Sequence, residues 1–171
     1  MSQRARAIGA AATGAWWTYI VMDFMTHAVL LAAWWRATAA FWLAPAELVR
    51  RIPVAYAGFA LYSVGLTVLL AIVHGEKPRV REGLRLGAIV GIVFGVVSAL
   101  GIYSAVRLPA SFLLVGPVST AVASAGAGAG AAWVLSGSRS WRRVGALVGM
   151  GILVLVVGIV IQNALHGQRV G

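Results

Sequence analysis

The sequence predicts an all-α integral membrane protein, a bundle of five transmembrane helices with a short interfacial helix between the first two, and three observations predict it. The 171 residues are 61% hydrophobic and only 11% charged, with a mean hydropathy of +0.91, whereas a soluble domain carries about 25% charged residues. Five apolar runs, at 15–35, 52–74, 86–106, 111–135 and 144–165, each reach the roughly 20 residues that a helix needs to cross the hydrocarbon. Of the charged Asp, Glu, Lys and Arg residues, Asp23 alone falls inside a run. The connectors are too short to hold a soluble domain, so 1–171 reads as a single membrane domain. A globular catalytic head, a nucleic-acid-binding module and an extended receptor domain are excluded.

The first run follows a basic start (Arg4, Arg6), but it is too long for a signal-peptide core and ends in Trp34, Trp35 and Arg36 rather than in small residues, so a retained helix is expected. Trp16 and Trp17 at its start and Trp34 and Trp35 at its end lie about 27 Å apart by helical rise, close to a hydrocarbon thickness. The two pairs are therefore expected to anchor at the two interfaces.

Between the first two runs, Phe41, Trp42, Leu43, Leu48 and Val49 are too few to span and too apolar for a solvated loop. Pro45 suits a first helical turn and Glu47 complements a helix start, which predicts a short interfacial helix over 45–51. The third run carries Gly83, Gly87, Gly91 and Gly95 at four-residue steps, the small-residue stripe through which membrane helices approach closely. Gly126, Gly128 and Gly130 in the fourth run and Gly145 and Gly149 in the fifth offer partners. The glycines of the fourth run lack the Gly-Lys-Ser/Thr ending of a phosphate loop.

A net charge of +10 and a pI near 11.7 would fit nucleic acid if the basic residues formed one patch. They are instead divided among short connectors on alternate faces, which fits membrane topology and contact with anionic lipids. Nine of them (Arg4, Arg6, Lys77, Arg79, Arg81, Arg85, Arg139, Arg142, Arg143) fall on one face and five (Arg36, Arg50, Arg51, Arg107, Arg169) on the other. The positive-inside bias then places the N-terminus in the cytoplasm and the C-terminus outside a bacterial cytoplasmic membrane. With no cysteine, thiol chemistry and Cys-ligated metals are excluded.

Asp23 is the one ionisable side chain deep in a run, and His27 follows one helical turn later on the same face. A group at that depth is costly and marks a functional candidate. Matching depths across an antiparallel bundle brings Asp23 near Ser63, Thr67, Ser98 and Ser124, whose hydroxyls would satisfy a buried neutral carboxyl without any chemistry. A structural polar cluster, proton or ion handling, and ligand or metal binding all stay open at this point. His27, His74 and His166 lie at three depths and cannot converge within one chain, and the acidic residues form no catalytic pair. No cofactor, metal or catalytic residue is expected.

Over about 15–135 the chain resembles small bacterial four-span membrane proteins of the domain-of-unknown-function type. The resemblance rests on Val21-Met22-Asp23-Phe24, the aromatic-rich connector, Arg51-Ile52-Pro53 and the glycine-stepped third run, and the fifth run departs from it. It implies architecture and a role for Asp23, and no activity. The expected function is thus non-enzymatic: an accessory or scaffolding subunit packing against another membrane protein or itself. The alternative is a small transporter or ion- or proton-handling protein using Asp23 and His27, with a lipid-acting enzyme third. Access to Asp23 separates the first two, since a subunit buries it in dry packing and a carrier connects it to water.

Overall fold

The first helix, α1 (Gln3–Phe24), begins well before the apolar run that marks it in the sequence. The Ser2 hydroxyl caps it by accepting from the Ala5 amide at 3.2 Å, and alanines at 10–12 extend it with the best helix former. The computed structural model describes residues 2–167, and all its regular elements there are helical. A π-helical turn (Met25–Leu30) continues α1. It is followed by α2 (Ala32–Ala37) and one turn of 3-10 helix (Ala39–Phe41), then by α3 (Pro45–His74), α4 (Val80–Ala105), α5 (Phe112–Leu135) and α6 (Ser140–Gly167).

Among the described residues four helices, α3 to α6, are long and apolar enough to cross a membrane, not five. The expected first span falls short because Trp16, Trp17, Thr18, Tyr19 and Asp23 dilute its apolar character and the π turn interrupts it. Enclosure makes so polar a helix tenable. It packs against α3, α5 and α6, and its polar side chains find partners inside the protein, as a low-dielectric surrounding requires. Thr13 and Thr18 donate to Gly9 and Gly14 carbonyls, Trp16 to the Tyr56 carbonyl and Trp17 to the Leu147 carbonyl.

The separate interfacial helix over 45–51 is also corrected, since Pro45 opens a helix that runs unbroken through Pro53 to His74. Pro53 removes one backbone donor, and the turn before it is held by the Glu47–Arg51 ion pair at i,i+4. Every residue from 46 to 58 is exposed. α4 and α6 likewise begin before the runs read from the sequence, because their first turns accept charged residues at the membrane surface, whereas α5 keeps within its run.

α4 and α5 pack antiparallel along the glycine stripe. A Cβ at Gly83 or Gly87 would meet the backbone carbonyls of Gly128 or Ser124, at Gly91 the Ser124 Cβ (2.6 Å), and at Gly95 the Pro117 Cα (2.7 Å). The stripe is thus used within the chain, with α5 as its partner, while Gly145 and Gly149 on α6 face open space. Other glycines receive α1: Gly130 faces Thr18, Gly126 faces Met22, Gly151 faces Trp17 and Gly158 faces Met25. α3, α4 and α6 turn large aliphatic side chains outward, among them Val54, Leu61, Ile72, Val97, Leu153 and Val160. Such a surface is a liability in water and the natural one toward lipid, so the protein is a membrane-embedded helical bundle.

The bundle has two distinct ends. One gathers the start of α1 with connectors 75–79 and 136–139, where Arg4 approaches Glu76 at 3.7 Å, and it holds all nine residues of the larger basic group. The other is aromatic: the Trp34 indole donates to the Ser111 hydroxyl at 3.0 Å, next to Trp35, Trp42 and Phe112. Arg169 lies outside the described residues, as does the side chain of His166.

Candidate functional site

The height of Asp23 in the bundle follows from α1 and its neighbour. Gly14 packs on Val134, Thr18 on Gly130 and Met22 on Gly126, so the next turn of α1 lies opposite the middle of α5. There His27 Nδ1 stands 3.0 Å from Asp23 Oδ1. With the Nδ1 proton donated to the carboxylate, Nε2 is the nitrogen left free to accept or take up a proton. Both side chains remain about 30% accessible (30% for His27, 29% for Asp23). This is neither a dry core nor an open surface.

The backbone carrying His27 is itself unusual. The Leu31 amide donates to the Thr26 carbonyl at 2.8 Å, an i→i+5 bond, and the Thr26 hydroxyl donates to the Met22 carbonyl at 2.8 Å. π turns of this kind occur frequently at functional sites.

Beyond His27 lies a cavity of about 170 Å3, lined by Trp35, Ser98 and Gly95 on one side and by Phe112, Gly116, Ser119 and Thr120 on the other. Several water molecules would fit. Ser119 and Thr120 donate back to the Val115 and Gly116 carbonyls at 2.7 and 2.9 Å, so toward the cavity their oxygens offer lone pairs. The indole N–H of Trp35 is buried with no hydrogen-bond partner, while its ring meets His27 edge-on at 5.0 Å. An orphaned donor of this kind is costly when dry. Trp42 meets Trp35 with tilted rings at 4.5 Å and stands 6.1 Å from Phe112, closing the aromatic end.

The residues expected around Asp23 are only partly brought together. Ser98 shares the cavity with His27. Ser124 instead accepts from the Tyr62 hydroxyl at 2.8 Å. Ser63 and Thr67 are fully buried on α3 with hydroxyls that have no partner, so the hydroxyl shell around a neutral Asp23 is not formed. Depth matching fixes a residue's height but not the direction it faces, and these two lie buried on α3 along with Leu66 and Leu70.

The tryptophans divide as well. Trp16 and Trp17 lie well inside α1, about 20 Å from its start by helical rise, and bond to the carbonyls of neighbouring helices rather than marking an interface. Trp34 and Trp35 do lie at one end, but as part of the cavity's aromatic cap. His74 stays at the basic end, 4.0 Å from Glu82. Ser119, Thr120, Trp42 and Phe112 were not legible as site residues. The Ser-Thr pair in the fourth apolar run was the available signal.

Compared with known family models, curated proteins and solved structures, the chain matches none.

Proposed function

We propose that the protein is an ion- or proton-handling membrane protein whose working group is the Asp23–His27 pair. The supporting observation is the pairing itself: an intramembrane carboxylate is matched to an imidazole at 3.0 Å, both about one-third accessible, rather than to the hydroxyls of a dry core. With the Nδ1 proton shared and Nε2 bare the pair carries one negative charge, which a low-dielectric surrounding penalises, and a further proton taken up at Nε2 makes it net neutral. His27 Nε2 and the cavity hydroxyls then provide a polar route on the side of the aromatic end. The reading places the protein in a bacterial cytoplasmic membrane with its basic end toward the cytoplasm, acting through its own side chains without a cofactor.

Reconstitution into vesicles holding a pH-sensitive dye, under a potassium diffusion potential, tests this. Wild type should carry protons or a coupled cation. Asp23→Asn should lose that flux while keeping its melting temperature, since the amide oxygen still accepts from His27 Nδ1–H but the group cannot ionise. Wild-type flux no greater than that of empty vesicles, or full flux in Asp23→Asn, would sink the proposal.

One observation favours the accessory-subunit reading: the half of α3 over 46–58 has no buried face. A photocrosslinker at Val54 that gives a discrete protein adduct, absent from the equally exposed Ile72, would support it. Lipid adducts alone would count against it.

A further inference from the structure

We propose that the basic end carries a binding site for a phosphate group, filled in the membrane by the headgroup of an anionic phospholipid. A cleft of about 690 Å3 opens there between the first turns of α1 and the connectors 75–79 and 136–139. Its wall is apolar, formed by Ile8, Ala71 and Leu135, and it carries Arg4, Lys77 and Arg143 as well. Glu76 is the acidic residue lining it, so three cations stand against one anion.

Arg143 is fixed in place. Its guanidinium donates to the Trp133 carbonyl and, at 3.0 Å, to the Ser136 hydroxyl, and lies over the Trp133 ring at 5.3 Å. Holding the fork in this way removes much of the side-chain entropy that binding would otherwise cost, and a guanidinium with five donors has others to spare. Arg4 and Glu76 are both largely exposed at 3.7 Å, a solvent-screened pair that an incoming anion can share.

Helix polarity adds to this charge. α1 and α6 both start at this end, and neither has an acidic residue in its first turn, so the positive ends of their dipoles are left without the usual neutralising carboxylate. The amphipathic lining distinguishes the two sources of phosphate. A diester at the cationic rim would lay its glycerol and first acyl carbons on Ile8, Ala71 and Leu135, whereas free phosphate has no use for that wall.

The full chain in a mild detergent, titrated with phosphatidylglycerol or phosphatidylcholine and read by native mass spectrometry, tests the site. Phosphatidylglycerol should be retained in preference. Arg4→Gln with Lys77→Gln should weaken it roughly 30-fold, both positions being exposed enough to leave the melting temperature unchanged. Arg81→Gln with Arg85→Gln removes the same charge at the same end outside the cleft and should have an effect of less than about threefold. Equal losses in the two double variants, no preference between the lipids, or displacement of the lipid by millimolar inorganic phosphate would each overturn the assignment.

Discussion

A methyl group added at Gly87 would run into the Ser124 carbonyl and the Ala125 Cα, both backbone atoms that cannot rotate aside. The same methyl at Gly149 meets nothing within 4 Å. Gly87→Ala should therefore destabilise the bundle by about 1–3 kcal/mol through overpacking. Gly149→Ala should stabilise it by about 0.5–1 kcal/mol, because alanine loses less backbone entropy in a helix. Thermal unfolding of the two variants in one detergent checks the opposite signs, and equal shifts would refute the close-contact assignment of the stripe. At this scale the sequence was most informative where spacing alone decides the geometry. Asp23 and His27 are one turn apart on one helix, so their pairing is local. The positions of Ser63, Thr67 and Ser124 depend on how α3 and α5 cross α1, which no local spacing encodes.

Bulky side chains of α1 are matched by gaps on its neighbours, and that matching explains how a helix with this many polar groups sits inside an apolar bundle. Trp17 fills the space over Gly151 and donates to the Leu147 carbonyl one turn earlier on α6. Gly151→Val should expel the indole, lower the melting temperature by several degrees at a cost of about 1–3 kcal/mol, and change tryptophan fluorescence. An unchanged spectrum together with unchanged stability would show that Trp17 does not occupy this gap. On α3, Pro53 interrupts the hydrogen-bond ladder of a fully exposed stretch, so Pro53→Ala should raise stability, up to the roughly 3 kcal/mol that separates these residues in a helix interior. The four apolar helices were legible because runs of this length and composition have few alternatives. The first helix was read as a fifth equivalent span because Asp23 is the one charged residue in its run, whereas its Thr, Trp and Tyr side chains lower its apolar character without adding charge and are satisfied by tertiary partners. The π turn leaves no mark in composition or period, and it is what carries Trp34 and Trp35 from an expected interface belt into the cap of the cavity.

At the scale of the whole molecule, charge is distributed by end rather than by face. Nine Lys and Arg residues gather with Glu76 and Glu82 at the end where α1, α4 and α6 begin, while Arg36, Arg50, Arg51 and Arg107 share the other with Glu47 and a cluster of aromatic rings. Cationic residues beside three helix starts hold a positive potential that an anionic leaflet can meet, and moving them across a membrane would cost far more than moving the aromatic end. The proposed orientation puts the aromatic end, with its cavity at His27, toward the outside. The absence of cysteine from the chain makes the orientation directly measurable, because each introduced thiol is the sole reactive group. Ser138→Cys on the 136–139 connector and Ala105→Cys at the end of α4 are both exposed and lie at opposite ends. In intact bacterial cells a membrane-impermeant maleimide should label Ala105→Cys at once and Ser138→Cys only after permeabilisation. The reverse pattern would invert the protein in the membrane, place the His27 cavity on the cytoplasmic side and remove the electrostatic argument for orientation, whereas labelling of both without permeabilisation would contradict the assignment of the two ends to opposite faces.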